Sequence, residues 1–254
     1  MLSGVIIKYF ILLLLFSFPF PTFASQGNET NNSFSKAKKM LEKDIYKTEI
    51  ERKTLYCKAG FDGTKKIIFP PGFTTAKYIK RAKKVEWEHV VPAENFGRNF
   101  KAWREGDGTC INSKGKTFKG RRCAEKTNQQ YRLMQSDMYN LYPAIGAVNA
   151  SRSNYNFVML ATEKSSFGSC EMKIAKRKAE PPKNARGMIA RSYLYMHQTY
   201  DRYAMSGQQL KLMNAWHKQL PVTQWECLRG QRIADKQGNQ SAILDKSCAL
   251  AGFK

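Results

Sequence analysis

The apolar positions of the chain fall into segments of different period. Tyr9 to Phe20 is an almost unbroken apolar run, preceded by the single charge of Lys8 and followed by Pro21 and the small-residue exit Thr22-Phe23-Ala24. It is shorter than the roughly 20 residues of a comfortable membrane span, and small residues stand at −3 and −1 of a cut after Ala24. Residues 1–24 therefore read as a secretory signal peptide, with an uncleaved N-terminal anchor as the other reading. Residues 25–34 are polar and turn-rich, and predict a flexible lead-in. Beyond them Phe34, Ala37, Leu41, Ile45 and Tyr46 recur near helical spacing, which predicts an amphipathic helix with Ser35 as its N-cap. Gly60 to Pro71 switches to turn signals around Lys65-Lys66-Ile67-Ile68-Phe69 and predicts a short strand or hairpin. Val85 to Val91 is a second β-favouring frame, ended by Pro92.

The last third is helical in pattern. Ile189, Tyr193, Met196 and Tyr200 lie at helical intervals, a stripe better suited to a core than to base stacking. Ser206-x-x-Gln209 and Thr223-x-x-Glu226 are capping boxes that open two further helices. His197 and His217 fall on these helices and read as structural. Lys173 to Lys183 reads as a charged connection. No later segment is long and apolar enough to span a membrane, so residues 25–254 are expected to be soluble outside the cytoplasm. Their number fits one domain, or at most two.

Composition adds a compartment and a partner class. All six cysteines lie beyond residue 24, and an even count in an exported chain favours three disulfides. No Cys-x-x-Cys pair exists and the three histidines lack ligand spacing, which counts against zinc. Cys110 with Cys123 is the pairing expected, closing a loop rich in Gly and Lys. Lys and Arg number 43 against 20 Asp and Glu, a net charge of +23. Such a chain seeks a polyanion: a phosphate backbone, an anionic membrane surface or an acidic glycan.

Candidate chemistry sits in Glu86-Trp87-Glu88-His89. Cleaving a phosphodiester takes a base for water, a cation against charge developing on the phosphate, and help for the leaving oxygen. A neutral imidazole at His89 suits the base. Glu88 and the amide carbonyl of Asn149 suit magnesium, which is hard, prefers oxygen and keeps several waters. One difficulty is geometric, because neighbours on a regular strand point to opposite faces. Taken alone, the pair is also compatible with a buried, hydrogen-bonded histidine.

The wider arrangement resembles the endonuclease I family of periplasmic or secreted nonspecific nucleases. The resemblance rests on Glu86-Trp87-Glu88-His89-Val90-Val91-Pro92-Ala93 with Phe96-Gly97. It continues through Arg132-Leu133-Met134, Asn140-Leu141, Pro143-Ala144-Ile145-Gly146, Val148-Asn149 and Arg152-Ser153-Asn154 to Trp225-Glu226-Cys227. These blocks keep their order from about residue 35 to the end, so 35–254 is read as the nuclease domain.

The resemblance implies an α+β fold: a mixed, largely helical, disulfide-stabilised single domain holding a ββα-metal (His-Me finger) site. It places the general base on His89, the metal ligands on Glu88 and Asn149, and a phosphate-binding arginine on Arg121 or Arg122, with Arg121 preferred. It implies Mg2+ as cofactor, with Mn2+ or Ca2+ as substitutes, and cleavage of DNA and RNA through backbone contacts to leave 5′-phosphates. A monomer in the periplasm or outside the cell is expected. Gln135, Tyr139, Ala147 and Ser151 depart from residues common in the family. Two rivals share the basic charge: a secreted nucleic-acid-binding protein that cuts nothing, and a binder of anionic membranes.

Overall fold

In the computed structural model residues 27–253 are described, so the expected signal peptide lies outside the described residues. Residues 27–33, part of the expected lead-in, are not loose. Asn28 and Asn31 are buried. The Asn28 side chain donates to the Leu133 carbonyl at 2.8 Å and its backbone N–H donates to Tyr200 Oη at 2.8 Å. Polar composition is a poor guide here because the Asn28 side chain finds backbone partners in the Asn31 and Leu133 carbonyls. The first helix, α1 (Phe34–Met40), is capped by Ser33 rather than Ser35. Ser33 has extended backbone and its hydroxyl accepts from the Lys36 N–H, whereas Ser35 already lies inside the helix. A π-helical turn, Leu41–Ile45, continues it and buries Leu41 and Ile45.

Next come the predicted hairpin, β1 (Gly60–Phe61) with β2 (Ile67–Ile68), then α2 (Ile79–Ala82) and β3 (Val85–His89). Short helices α3 (Ala93–Gly97), α4 (Lys101–Arg104), α5 (Arg121–Thr127) and α6 (Gln129–Gln135) lead to β4 (Leu141–Ile145) and α7 (Gly146–Arg152). β3 and β4 pair antiparallel from Val85↔Ile145 to His89↔Leu141. Pro143 is tolerated opposite Trp87 because its carbonyl points away from β3, accepting from the Leu55 N–H at 2.8 Å. The N–H it lacks would have faced the same way, outside the ladder. α7 begins at Gly146, where a Cβ would lie 2.4 Å from the Arg81 carbonyl oxygen. Only glycine lets α7 start this close to the end of α2.

β5 (Asn156–Phe157), β6 (Lys173–Ala175) and β7 (Lys178–Glu180) form a sheet of order β5-β7-β6. The expected charged connection at Lys173 to Lys183 is thus mostly a hairpin. Its turn residues, Lys176 (φ 47°) and Arg177 (φ 58°), adopt the left-handed backbone of a tight hairpin without the Asn-Gly signal that normally marks one.

Four helices complete the domain: α8 (Lys183–Thr199), α9 (Gly207–Gln219), α10 (Gln224–Gln237) and α11 (Ala242–Leu250). Ile189, Tyr193 and Met196 are buried, and Tyr200, just past the helix, is buried with them. Ser206 and Thr223 cap α9 and α10 as predicted. The Glu226 carboxylate does not turn back on its own cap. It forms a buried two-pronged ion pair with Arg191, both contacts 2.6 Å. Disulfides join Cys57–Cys170, Cys110–Cys123 and Cys227–Cys248. The result is a mixed helix and strand domain, and no helix among the described residues is long and apolar enough to cross a membrane.

Candidate active site

Glu88, His89, Arg121 and Asn149 all line one cleft of about 660 Å³. β3 supplies the first two, the first turn of α5 supplies Arg121, and α7 supplies Asn149. Glu88 and His89 reach the same cleft although they are neighbours. The cleft runs along the whole of β3, lined by every residue from Val85 to His89, so residues of either face border it although His89 still pairs with Leu141.

Glu88 is almost fully buried. Its Oε1 accepts from Tyr56 Oη at 2.6 Å and from Arg152 Nη1 at 2.8 Å. Burial pushes the carboxyl upward, against the Arg152 guanidinium and the Tyr56 hydroxyl, which favour the charged form. Arg152 itself is wholly buried and also donates to the carbonyls of His89 (2.9 Å) and Val90 (2.7 Å). One guanidinium thus fixes both the carboxylate and the backbone on which the histidine sits.

The His89 ring nitrogen Nε2 lies 2.8 Å from the Gln135 carbonyl oxygen. A carbonyl only accepts, so Nε2 carries the proton and Nδ1 keeps its lone pair. Burial, with the Arg121 guanidinium adding to it, pushes the imidazole down to about 3. Phe34, the first residue of α1, packs its ring 4.8 Å from the imidazole and carries Lys38 and Arg121 against its own ring.

Asn149 donates through Nδ2 to Glu86 Oε2 at 2.7 Å, and Glu86 in turn accepts from Arg81 at 2.7 and 2.5 Å. The amide is held by its nitrogen end, leaving its carbonyl oxygen free of that bond. Of the two candidate arginines, Arg121 lines the cleft, with Nε 3.4 Å from Gln135 Oε1. Arg122 packs instead over the Phe118 ring. His197 and His217 lie outside the cleft, and His197 Nδ1 accepts from the Met205 N–H.

Four contributors were not recognised from sequence: Tyr56, Glu86, Arg152 and Phe34. Glu86 and Arg152 stand inside the motif blocks, but nothing local distinguishes a structural charge from one that supports a site. Of the departures from family pattern, Gln135 touches the site through its backbone carbonyl at His89 and through its side-chain oxygen at Arg121. Its side chain bonds Glu125 at 3.0 Å. Tyr139 is buried away from the cleft, donating to the Gly230 carbonyl.

The family model for Endonuclease I matches residues 25–248. The extracellular deoxyribonuclease of Aeromonas hydrophila is 39% identical over 202 residues, spanning 77% of this chain and 82% of its own length. The periplasmic deoxyribonuclease of the same organism is 37% identical over 202 residues, 77% of this chain and 79% of its own. Endonuclease-1 of Buchnera aphidicola subsp. Acyrthosiphon pisum is 39% identical over 183 residues, 71% and 67% of the two chains. Together with the disulfide-bonded fold, these matches define the class as an endonuclease that works in the periplasm or outside the cell. The chain belongs to the endonuclease I family.

Proposed function

We propose that the chain is a sequence-nonspecific endonuclease hydrolysing DNA and RNA, with β3, β4 and α7 forming a ββα-metal site of the His-Me finger type. The observation that carries this reading is the commitment of His89 Nε2 to the Gln135 carbonyl. It leaves Nδ1 as a lone pair in the cleft wall, and burial keeps the ring neutral. Such a ring takes a proton from water and cannot give one. A phosphate entering beside Arg121 offsets the positive field on the ring, raising its basicity as substrate binds.

The donor set fits magnesium. Glu88 Oε1 is occupied by Tyr56 and Arg152, while Oε2 accepts no hydrogen bond from the described residues. The Asn149 nitrogen is tied to Glu86, so its amide offers oxygen. Two hard oxygens, with no cluster of three His, Cys, Asp or Glu among the described residues, suit an ion that keeps several waters and do not suit zinc. When bound, the ion neutralises charge developing on the phosphate. Arg121 supplies the guanidinium for the phosphate oxygens. Lys38 and Lys39 line the same cleft and hold the backbone without reading bases. Products with 5′-phosphates follow from in-line attack by water opposite the 3′-oxygen: the new P–O bond forms as the bond to O3′ breaks, and the phosphate stays on O5′.

The test is cleavage of supercoiled plasmid and of structured RNA by the oxidised protein, with magnesium, with chelator, and with His89→Ala. Nicking of both substrates that needs magnesium and His89 is expected. Tight binding of either without cleavage would overturn the mechanism.

A further inference from the structure

We propose that a second groove beside the catalytic cleft stacks an unpaired nucleobase of the substrate strand. It measures about 380 Å³, and its wall includes Lys77, Tyr78, Ser151, Ser153 and Tyr155. Ser153 lines both this groove and the cleft, so the two are contiguous. The proposal rests on reading the cleft as a nuclease site, because that reading brings a polynucleotide to its mouth.

Three features favour a base over other ligands. Tyr78 and Tyr155 each carry a guanidinium against the ring, Arg81 at 5.6 Å and Arg177 at 6.0 Å. Aromatic faces interleaved with cations are the arrangement that stacks bases while holding the strand's phosphates. Among the described residues no carboxylate lines the groove, whereas Lys77 stands in its wall. Ala150, Ser151 and Ser153 add only small side chains to a groove that the two tyrosines also line, and its size lies within the roughly 300–1,000 Å³ of small-ligand pockets.

The backbone supports the assignment. Tyr78 (φ 57°) and Ser153 (φ 53°) both adopt left-handed conformations in the groove wall. A bulky residue is seldom found there, and Tyr78 is 47% exposed, so core packing does not require it. Arg81 also joins the two sites, since the guanidinium against Tyr78 is the one that holds Glu86 and, through it, Asn149.

The experiment is fluorescence anisotropy of the oxidised protein in chelator, where nothing is cut, comparing a short single-stranded oligonucleotide with an abasic strand of equal length. The wild-type protein is expected to bind the base-bearing strand about fivefold or more tighter. Tyr78→Ala and Tyr155→Ala should erase that difference, while Tyr78→Phe and Tyr155→Phe retain it. Equal binding of the two strands by the wild-type protein, or discrimination surviving both alanine substitutions, overturns the proposal. Because binding is read without cleavage, a failure of His89→Ala to abolish nicking would sink the catalytic mechanism and leave this result to stand or fall separately.

Discussion

The side-chain amide of Asn149 is held by its nitrogen to Glu86 Oε2 at 2.7 Å, and the same carboxylate is gripped by Arg81. Glu86 therefore decides which end of the amide faces the cleft. Glu86→Ala is expected to raise the magnesium concentration needed for half-maximal nicking by about 10- to 100-fold, the usual cost of losing a residue that orients a metal ligand. Glu86→Gln, which keeps one acceptor, should recover part of the loss. A magnesium titration unchanged by Glu86→Ala would show that Asn149 needs no such orientation.

Arg152 joins Glu88 to the carbonyls of His89 and Val90 in a wholly buried setting. Arg152→Ala strands a carboxylate and two carbonyls together, so a loss of about 3–5 kcal/mol is expected. Urea denaturation reads it directly, and a loss below about 1 kcal/mol would contradict the account.

His89 gives a chemical and a titration prediction. His89→Ala should lower the cleavage rate by about 10²- to 10⁴-fold without unfolding the protein, checked by circular dichroism. In Arg121→Ala the imidazole, followed by NMR, should titrate at a higher pH than in the wild type, since removing a neighbouring cation favours the imidazolium. The imidazole's folded pKa lies below its unfolded value of 6.5. His89 accordingly lowers stability as pH falls from about 6.5, where the unfolded chain takes up the proton first, and the loss levels off near 3.

The sequence singles out the candidate residues that line the cleft better than those that hold them in place. Glu88 and His89 stand out through the resemblance of the blocks around them, since the pair alone is also compatible with a buried, hydrogen-bonded histidine; both line the cleft. Arg152 and Tyr56 do not, because their roles arise from contacts across 64 and 32 positions of chain. The same distance explains the lead-in: Asn28 is ordered by Leu133 and Tyr200, which no local window contains. At Lys173 to Lys183 the error was different. The hairpin turns on a Lys-Arg pair in left-handed backbone, a choice that turn preferences would not suggest. The three disulfides expected from the cysteine count are present, as is the one pairing read from loop composition, Cys110–Cys123; the partners in Cys57–Cys170 and Cys227–Cys248 needed the fold.

Cys57–Cys170 closes a loop of sequence separation 113 and sits next to Tyr56, the residue whose hydroxyl holds Glu88. Cys57→Ser with Cys170→Ser is expected to cost about 2–5 kcal/mol and to lower nicking as well. Activity of the doubly substituted protein equal to wild type, under conditions where it is folded, would separate the bridge from the site.

An endonuclease is a danger to the cell that makes it. The bond beside Tyr56 forms only in oxidising surroundings. On the reducing side of the membrane, then, the chain is expected to lack the tie behind its own carboxylate, and to be fully armed only after it has left the chromosome that encodes it.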